Sequence, residues 1–172
     1  MVERKGVIKF LDRDVTVIGE DLKPGQVAPE FRVQTQNWDM INGLASTAGK
    51  VRIIAAVPSL ETPVCDRETR RFNQEAAGLS KDITILVIST DLPFTQKRWC
   101  GATGIDQVMI LSDHLDKDFG AKYGVLLKEV GILRRAVFVV DKRDTVQYVA
   151  YMPEIGAEPD YDAVLAAARK LV

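Results

Sequence analysis

Cysteine and histidine are scarce in this chain: its 172 residues carry two cysteines, Cys65 and Cys100, and one histidine, His114. Two thiols and one distant imidazole do not fill a tetrahedral zinc site, so no metal is expected. Strong charge of one sign is also missing, since 23 Lys and Arg face 24 Asp and Glu for a net charge of −1. The basic residues are scattered among acidic ones, which leaves no electrostatic footprint for nucleic acid or an anionic membrane surface. No apolar run approaches the roughly 18 residues of a membrane span. The first residues, Met1 to Gly6, lead into an apolar stretch broken by Lys9, with no small-residue cleavage site. Cytoplasm is therefore the expected compartment. Two cysteines in a reducing compartment are seldom a structural staple, which leaves redox chemistry or inert buried thiols.

What is present is an ordinary globular composition, 47% hydrophobic and 27% charged, with no repeat, low-complexity tract or linker. The chain is organised around Pro58-Ser59-Leu60-Glu61-Thr62-Pro63-Val64-Cys65. Upstream, Val51 to Val57 is a short apolar run of the kind that makes a buried parallel strand. Downstream, Thr62 suits an N-cap and Pro63 the first helical position, so Cys65 falls in the first turn. Exposed N–H groups and the macrodipole there favour thiolate over thiol, and thiolate is the nucleophilic form. From Pro63 to Ala77 the pattern is that of an amphipathic helix in which Cys65 and Phe72, seven residues apart, share a face.

Before this stretch, Val7–Phe10 and Val15–Ile18 read as a hairpin and Phe31–Thr35 as a strand. After it come a strong strand at Ile83–Ile88 and a helix opened by Asp91 and Pro93. That helix carries Trp99 and Cys100 and is expected to end at Gly101. A weaker strand at Gln107–Leu111 and a helical turn at Phe119–Gly124 follow. Arg135–Val140 then pairs with Thr145–Val149 as an antiparallel hairpin, and a last helix runs from Tyr161 to Leu171. Alternation of this kind calls for a mostly parallel α/β sheet covered on both faces, with antiparallel pairing at its end.

These residues carry a resemblance. Pro58, Thr62 and Cys65 stand in a P-x-x-x-T-x-x-C arrangement that resembles the peroxiredoxins, in particular their bacterial thiol peroxidase branch. The segment Ser89 to Cys100 is similar to that branch's resolving-cysteine segment, and Arg135, just before an apolar strand, matches the family's active-site arginine. Thr95 and Trp99 stand where alanine and phenylalanine are expected. The resemblance implies one thioredoxin-like domain over 1–172 with a mixed central sheet, flanking helices and an N-terminal hairpin extension over 1–20. It also implies a homodimer and a peroxidase without cofactor, in which Cys65 attacks a peroxide and Thr62 and Arg135 bind it. Pro58 shields the sulfur, and Cys100 resolves the sulfenic acid as an intramolecular disulfide that thioredoxin reduces.

The residue types leave other readings open beside this one. A thioredoxin-type oxidoreductase is weakened because Cys65 is followed by Asp66-Arg67-Glu68, with no C-x-x-C. A non-catalytic binding domain remains available, with Cys100 as a core residue beside Trp99. Arg134 and Arg135 both suit a solvated strand start, and only the resemblance selects Arg135. Arg67, Arg70 and Arg71, beside Asp66, Glu68 and Glu75, read as a charged surface face. His114 reads as a solvated loop residue. Leu60, Val64 and Phe94 either flank the site, favouring alkyl or lipid hydroperoxides, or pack inward.

Overall fold

The computed structural model describes residues 1–172. The chain opens with β1 (Glu3–Phe10) and β2 (Arg13–Ile18), an antiparallel pair turned at Leu11 and Asp12, both at positive φ. Next come the short strands β3 (Arg32–Gln34) and β4 (Met40–Asn42), then β5 (Val51–Ala56) and the helix α1 (Pro63–Ala76). They are followed by β6 (Ile83–Ser89), α2 (Pro93–Thr103), β7 (Met109–Ser112) and α3 (Asp118–Lys122). Two-residue strands β8 (Leu126–Leu127) and β9 (Ile132–Leu133) precede β10 (Ala136–Val140), β11 (Val146–Tyr151) and α4 (Tyr161–Arg169).

Seven strands form the main sheet in the order β11-β10-β5-β6-β7-β3-β4. Only the β5-β6 and β6-β7 pairs are parallel, and β10 runs antiparallel to β5, so the sheet is mixed and not mostly parallel as the alternation suggests. β5 thus lies inside the sheet, and all six of its residues are buried. Burial on both faces is why its sequence, Arg52 apart, is an apolar run and not an alternating one. Val51, Ile53, Ala55 and Val57 pack with Cys65 and Phe72 of α1, Trp99 and Cys100 of α2, and Val164 of α4. Ile54 and Ala56 pack on the opposite side with Phe31, Phe119 and Tyr123. The site therefore grows from a strand held on both flanks and both faces.

A second sheet, β1-β2-β8-β9, joins the hairpin to the segment just before β10. β8 and β9 escape a sequence reading because two residues cannot display a period of two. α2 also differs from expectation. It continues through Gly101 to Thr103 and ends on Gly104, whose φ of 71° suits a left-handed C-cap that a side chain would disfavour. Leu92, not Asp91, occupies its N-cap position, with Pro93 next. α4 is capped as its sequence suggests, the Asp160 carboxylate accepting from the Ala163 N–H at 3.0 Å.

Candidate active site

β5 ends at the turn that begins with Pro58, and Pro63 starts α1 two residues before Cys65. No acceptor engages the N–H groups of Val64 and Cys65, so the first turn keeps its positive end free. Thr62 occupies the N-cap position, yet its hydroxyl does not cap the helix. It donates to the Ser59 carbonyl at 2.9 Å, which spends its single proton and leaves the oxygen able to accept. The loop itself is pinned from α2's approach: Asp91 accepts from Ser59 Oγ at 2.7 Å, the Leu60 N–H at 2.9 Å and Ser89 Oγ at 2.7 Å. This work occupies the carboxylate that the sequence assigns to helix capping.

Cys65 is fully buried, and its Sγ lies 3.2 Å from Nη2 of Arg135. The arginine stands immediately before β10, the antiparallel neighbour of β5, so two adjacent strands deliver thiol and guanidinium to one point. Neither Arg134 nor Arg135 is solvated. Arg134 turns away to pair with Asp21 and lies over the Tyr151 ring at 4.2 Å, while Arg135 also donates from Nε and Nη2 to the Ile155 carbonyl. The remaining partner of Arg135 is Glu68, bonded through Nη1, and both side chains are buried.

Glu68 corrects the surface-face reading of α1. Arg70 and Arg71 do make exposed i,i+4 pairs with Asp66 and Glu75, but Glu68 faces inward beneath the sulfur's partner. The spacing carries a signal, since Cys65, Glu68 and Phe72 follow i, i+3, i+7 and so share one face of the helix. Burial pushes the Glu68 carboxyl up to about 7, against the pull of Arg135. Its Oε1 has no hydrogen-bond partner.

A cavity of about 190 Å³ opens beside Arg135, which lines it with Pro58, Thr62 and Val64; Cys65, fully buried, does not line it. Phe10 of β1, Ile132 of β9 and Ile155 line it as well, so the second sheet supplies an apolar wall. A larger cavity of about 690 Å³ lies between β1 and Pro153–Ile155, but Arg135 does not line it. Leu60 is buried in the core, and Phe94 is exposed, its ring 4.8 Å from Trp38. Of the three apolar residues first considered as flanking the site, only Val64 meets the cavity.

Cys100 is a free thiol in the last turn of α2, largely buried, with Gln36 Nε2 3.4 Å from its sulfur. Burial raises it above an ordinary thiol, with the Gln36 contact opposing. His114 is half-buried, its Nε2 2.6 Å from Gln34 Oε1 and its ring edge-on to Trp38, so it is a packed residue and not a solvated one.

A thioredoxin-like sheet that presents a buried cysteine at a helix N-terminus, against a guanidinium, defines a class of thiol-based redox proteins. The chain belongs to the redoxin family, whose model matches residues 23–165. It is 49% identical to a thiol peroxidase of Oceanobacillus iheyensis over 163 residues, 95% of this chain and 98% of that protein. It is 47% identical to a thiol peroxidase of Bacillus subtilis over 165 residues, 96% of this chain and 98% of that one. Among solved structures, a peroxiredoxin-like protein from Aquifex aeolicus superposes with a TM-score of 0.86 at 41% identity, covering 96% of each chain.

Proposed function

We propose that this chain is a thiol-dependent peroxidase in which Cys65 is the attacking group. The observation that carries the assignment is Arg135 Nη2 at 3.2 Å from Cys65 Sγ, the same arginine lining a cavity walled by Pro58, Thr62 and Val64. The sulfur attacks one peroxide oxygen and becomes a sulfenic acid as the O–O bond breaks, and the other oxygen leaves as water or an alcohol. Negative charge develops on that departing oxygen. The Arg135 guanidinium and the unengaged amides of Val64 and Cys65 point toward it, and such fixed donors act where charge appears in the transition state. Thr62 Oγ1, with its proton already given to Ser59, accepts the hydrogen of the bound hydroperoxide. Pro58, which lines the cavity with Arg135, limits water at the site.

Phe10, Ile132 and Ile155 suit the alkyl part of an organic hydroperoxide, so both hydrogen peroxide and organic hydroperoxides are substrates. Cys100 then resolves the sulfenic acid as a disulfide within one chain, and thioredoxin reduces it. We place the protein in the cytoplasm as a homodimer, and no helix is long and apolar enough to cross a membrane. Peroxide consumption with thioredoxin, its reductase and NADPH tests the reading. Turnover that vanishes in Cys65→Ser is expected; turnover retained in that variant would overturn it.

A further inference from the structure

The two helices that carry the cysteines are latched to each other beside both thiols. Trp99 Nε1 donates to Asp66 Oδ1 at 3.1 Å. Asp66 directly follows Cys65, and Trp99 directly precedes Cys100, so one hydrogen bond ties the chain neighbours of both sulfurs. The indole is buried within the same core as the two cysteines. Asp66 is held in place by its other oxygen, which accepts from Arg70 Nε at 2.8 Å. Nearby, Arg98 reaches Glu61 at 2.8 Å, but both of those side chains are exposed and contribute little. Trp99 is also where the resemblance leads one to expect phenylalanine, which has no donor to give.

We propose that the Trp99–Asp66 hydrogen bond is the latch that sets the rate of disulfide formation, which makes both of them positioning residues for the resolving step. The inference rests on the reading that Cys100 resolves Cys65. In that step the Cys100 sulfur attacks the Cys65 sulfur, an S–S bond forms, the S–O bond breaks and the hydroxyl leaves with the thiol proton as water. The Cα atoms must come within about 7 Å. Cys65 sits in the first turn of α1 and Cys100 in the last turn of α2, and in the resolving step one of these turns unwinds to bring the sulfurs together. Unwinding either one moves Asp66 or Trp99 with it, and the indole N–H, which has no second role, loses its acceptor. Attack on peroxide needs no such movement, so the latch slows the second chemical step and leaves the first alone. A longer-lived sulfenic acid is in turn more open to further oxidation to sulfinic acid.

Rapid-quench alkylation after one equivalent of hydrogen peroxide reads both steps by mass. Trp99→Phe and Asp66→Ala should each oxidise Cys65 at the wild-type rate but form the Cys65–Cys100 disulfide about 3- to 10-fold faster, the range for the net loss of one typical hydrogen bond. Both should also accumulate less sulfinic acid in excess peroxide. Because Phe is smaller than Trp and loosens packing, the double variant decides the cause. If the hydrogen bond is the latch, the double variant is no faster than the faster single variant; independent loosening would multiply the two effects and overturn the proposal. Unchanged disulfide rates in both single variants would overturn it as well. A wild type that forms no Cys65–Cys100 disulfide would overturn the resolving-cysteine reading itself, and the latch with it.

Discussion

Removing Arg135 should separate a structural effect from a chemical one, because the guanidinium serves Glu68 and Cys65 together. In Arg135→Ala the buried Glu68 carboxyl keeps no partner, and breaking such a pair from one side typically costs about 3–5 kcal/mol. Protonation limits that cost. In the wild type the carboxyl is raised to about 7, so its contribution to stability is present below its unfolded value and is lost as pH rises through about 7. In the variant the carboxyl lies higher still, and the loss continues where the wild type has levelled off. The difference in unfolding free energy between the two proteins should therefore widen by about 1 kcal/mol between pH 7 and pH 8. Adding Glu68→Gln removes the stranded charge and should return most of the lost stability. Activity should not return with it, since one lost donor to the departing oxygen is worth about 100-fold or more. Urea unfolding at pH 6, 7 and 8, with stopped-flow oxidation by hydrogen peroxide, measures both quantities. If the double variant recovers stability and peroxide reactivity together, Arg135 acts only through the fold.

Phe10→Ala should weaken reduction of cumene hydroperoxide several-fold and leave hydrogen peroxide almost untouched, read as kcat/KM for the two substrates, because Phe10 forms part of the apolar wall. Alkylation of Cys100 in the reduced protein should keep accelerating above pH 9, since burial holds that thiol above its ordinary value; a plateau below pH 9 would contradict this. Asp160→Ala should cost about 1 kcal/mol in urea unfolding through loss of the α4 cap, with peroxide reactivity unchanged. Light scattering across the micromolar range should show a dimer, and monomer alone would remove that expectation.

Strongly patterned elements were legible before the structure. The run from Val51 to Val57 has no polar residue except Arg52, and its burial on both faces follows from that. The first turn of α1 was legible because Pro63 fixes where the helix begins. Side-chain hydrogen bonds were not legible, since they depend on which strands become neighbours. Asp91 looks like a cap in one dimension, but the parallel β5-β6 pairing brings it to Ser59 and Leu60 instead. Arg134 and Arg135 are indistinguishable in sequence. Alternation along the chain sends one to Asp21 and Tyr151 and the other to Cys65. Glu68 was hidden by its charged neighbours, although its spacing from Cys65 and Phe72 placed it inside. The β8-β9 segment and its part in the cavity wall were invisible, because the strands are too short to carry a period.

Whether Cys65 and Cys100 act as a pair within one chain is read by non-reducing peptide mapping after one equivalent of hydrogen peroxide. The wild type should yield a Cys65–Cys100 linked peptide pair on a monomer-sized chain. Cys100→Ser should consume one equivalent of peroxide and then stop turning over with thioredoxin. A linked pair bridging two chains, or full thioredoxin-dependent turnover in Cys100→Ser, would contradict it.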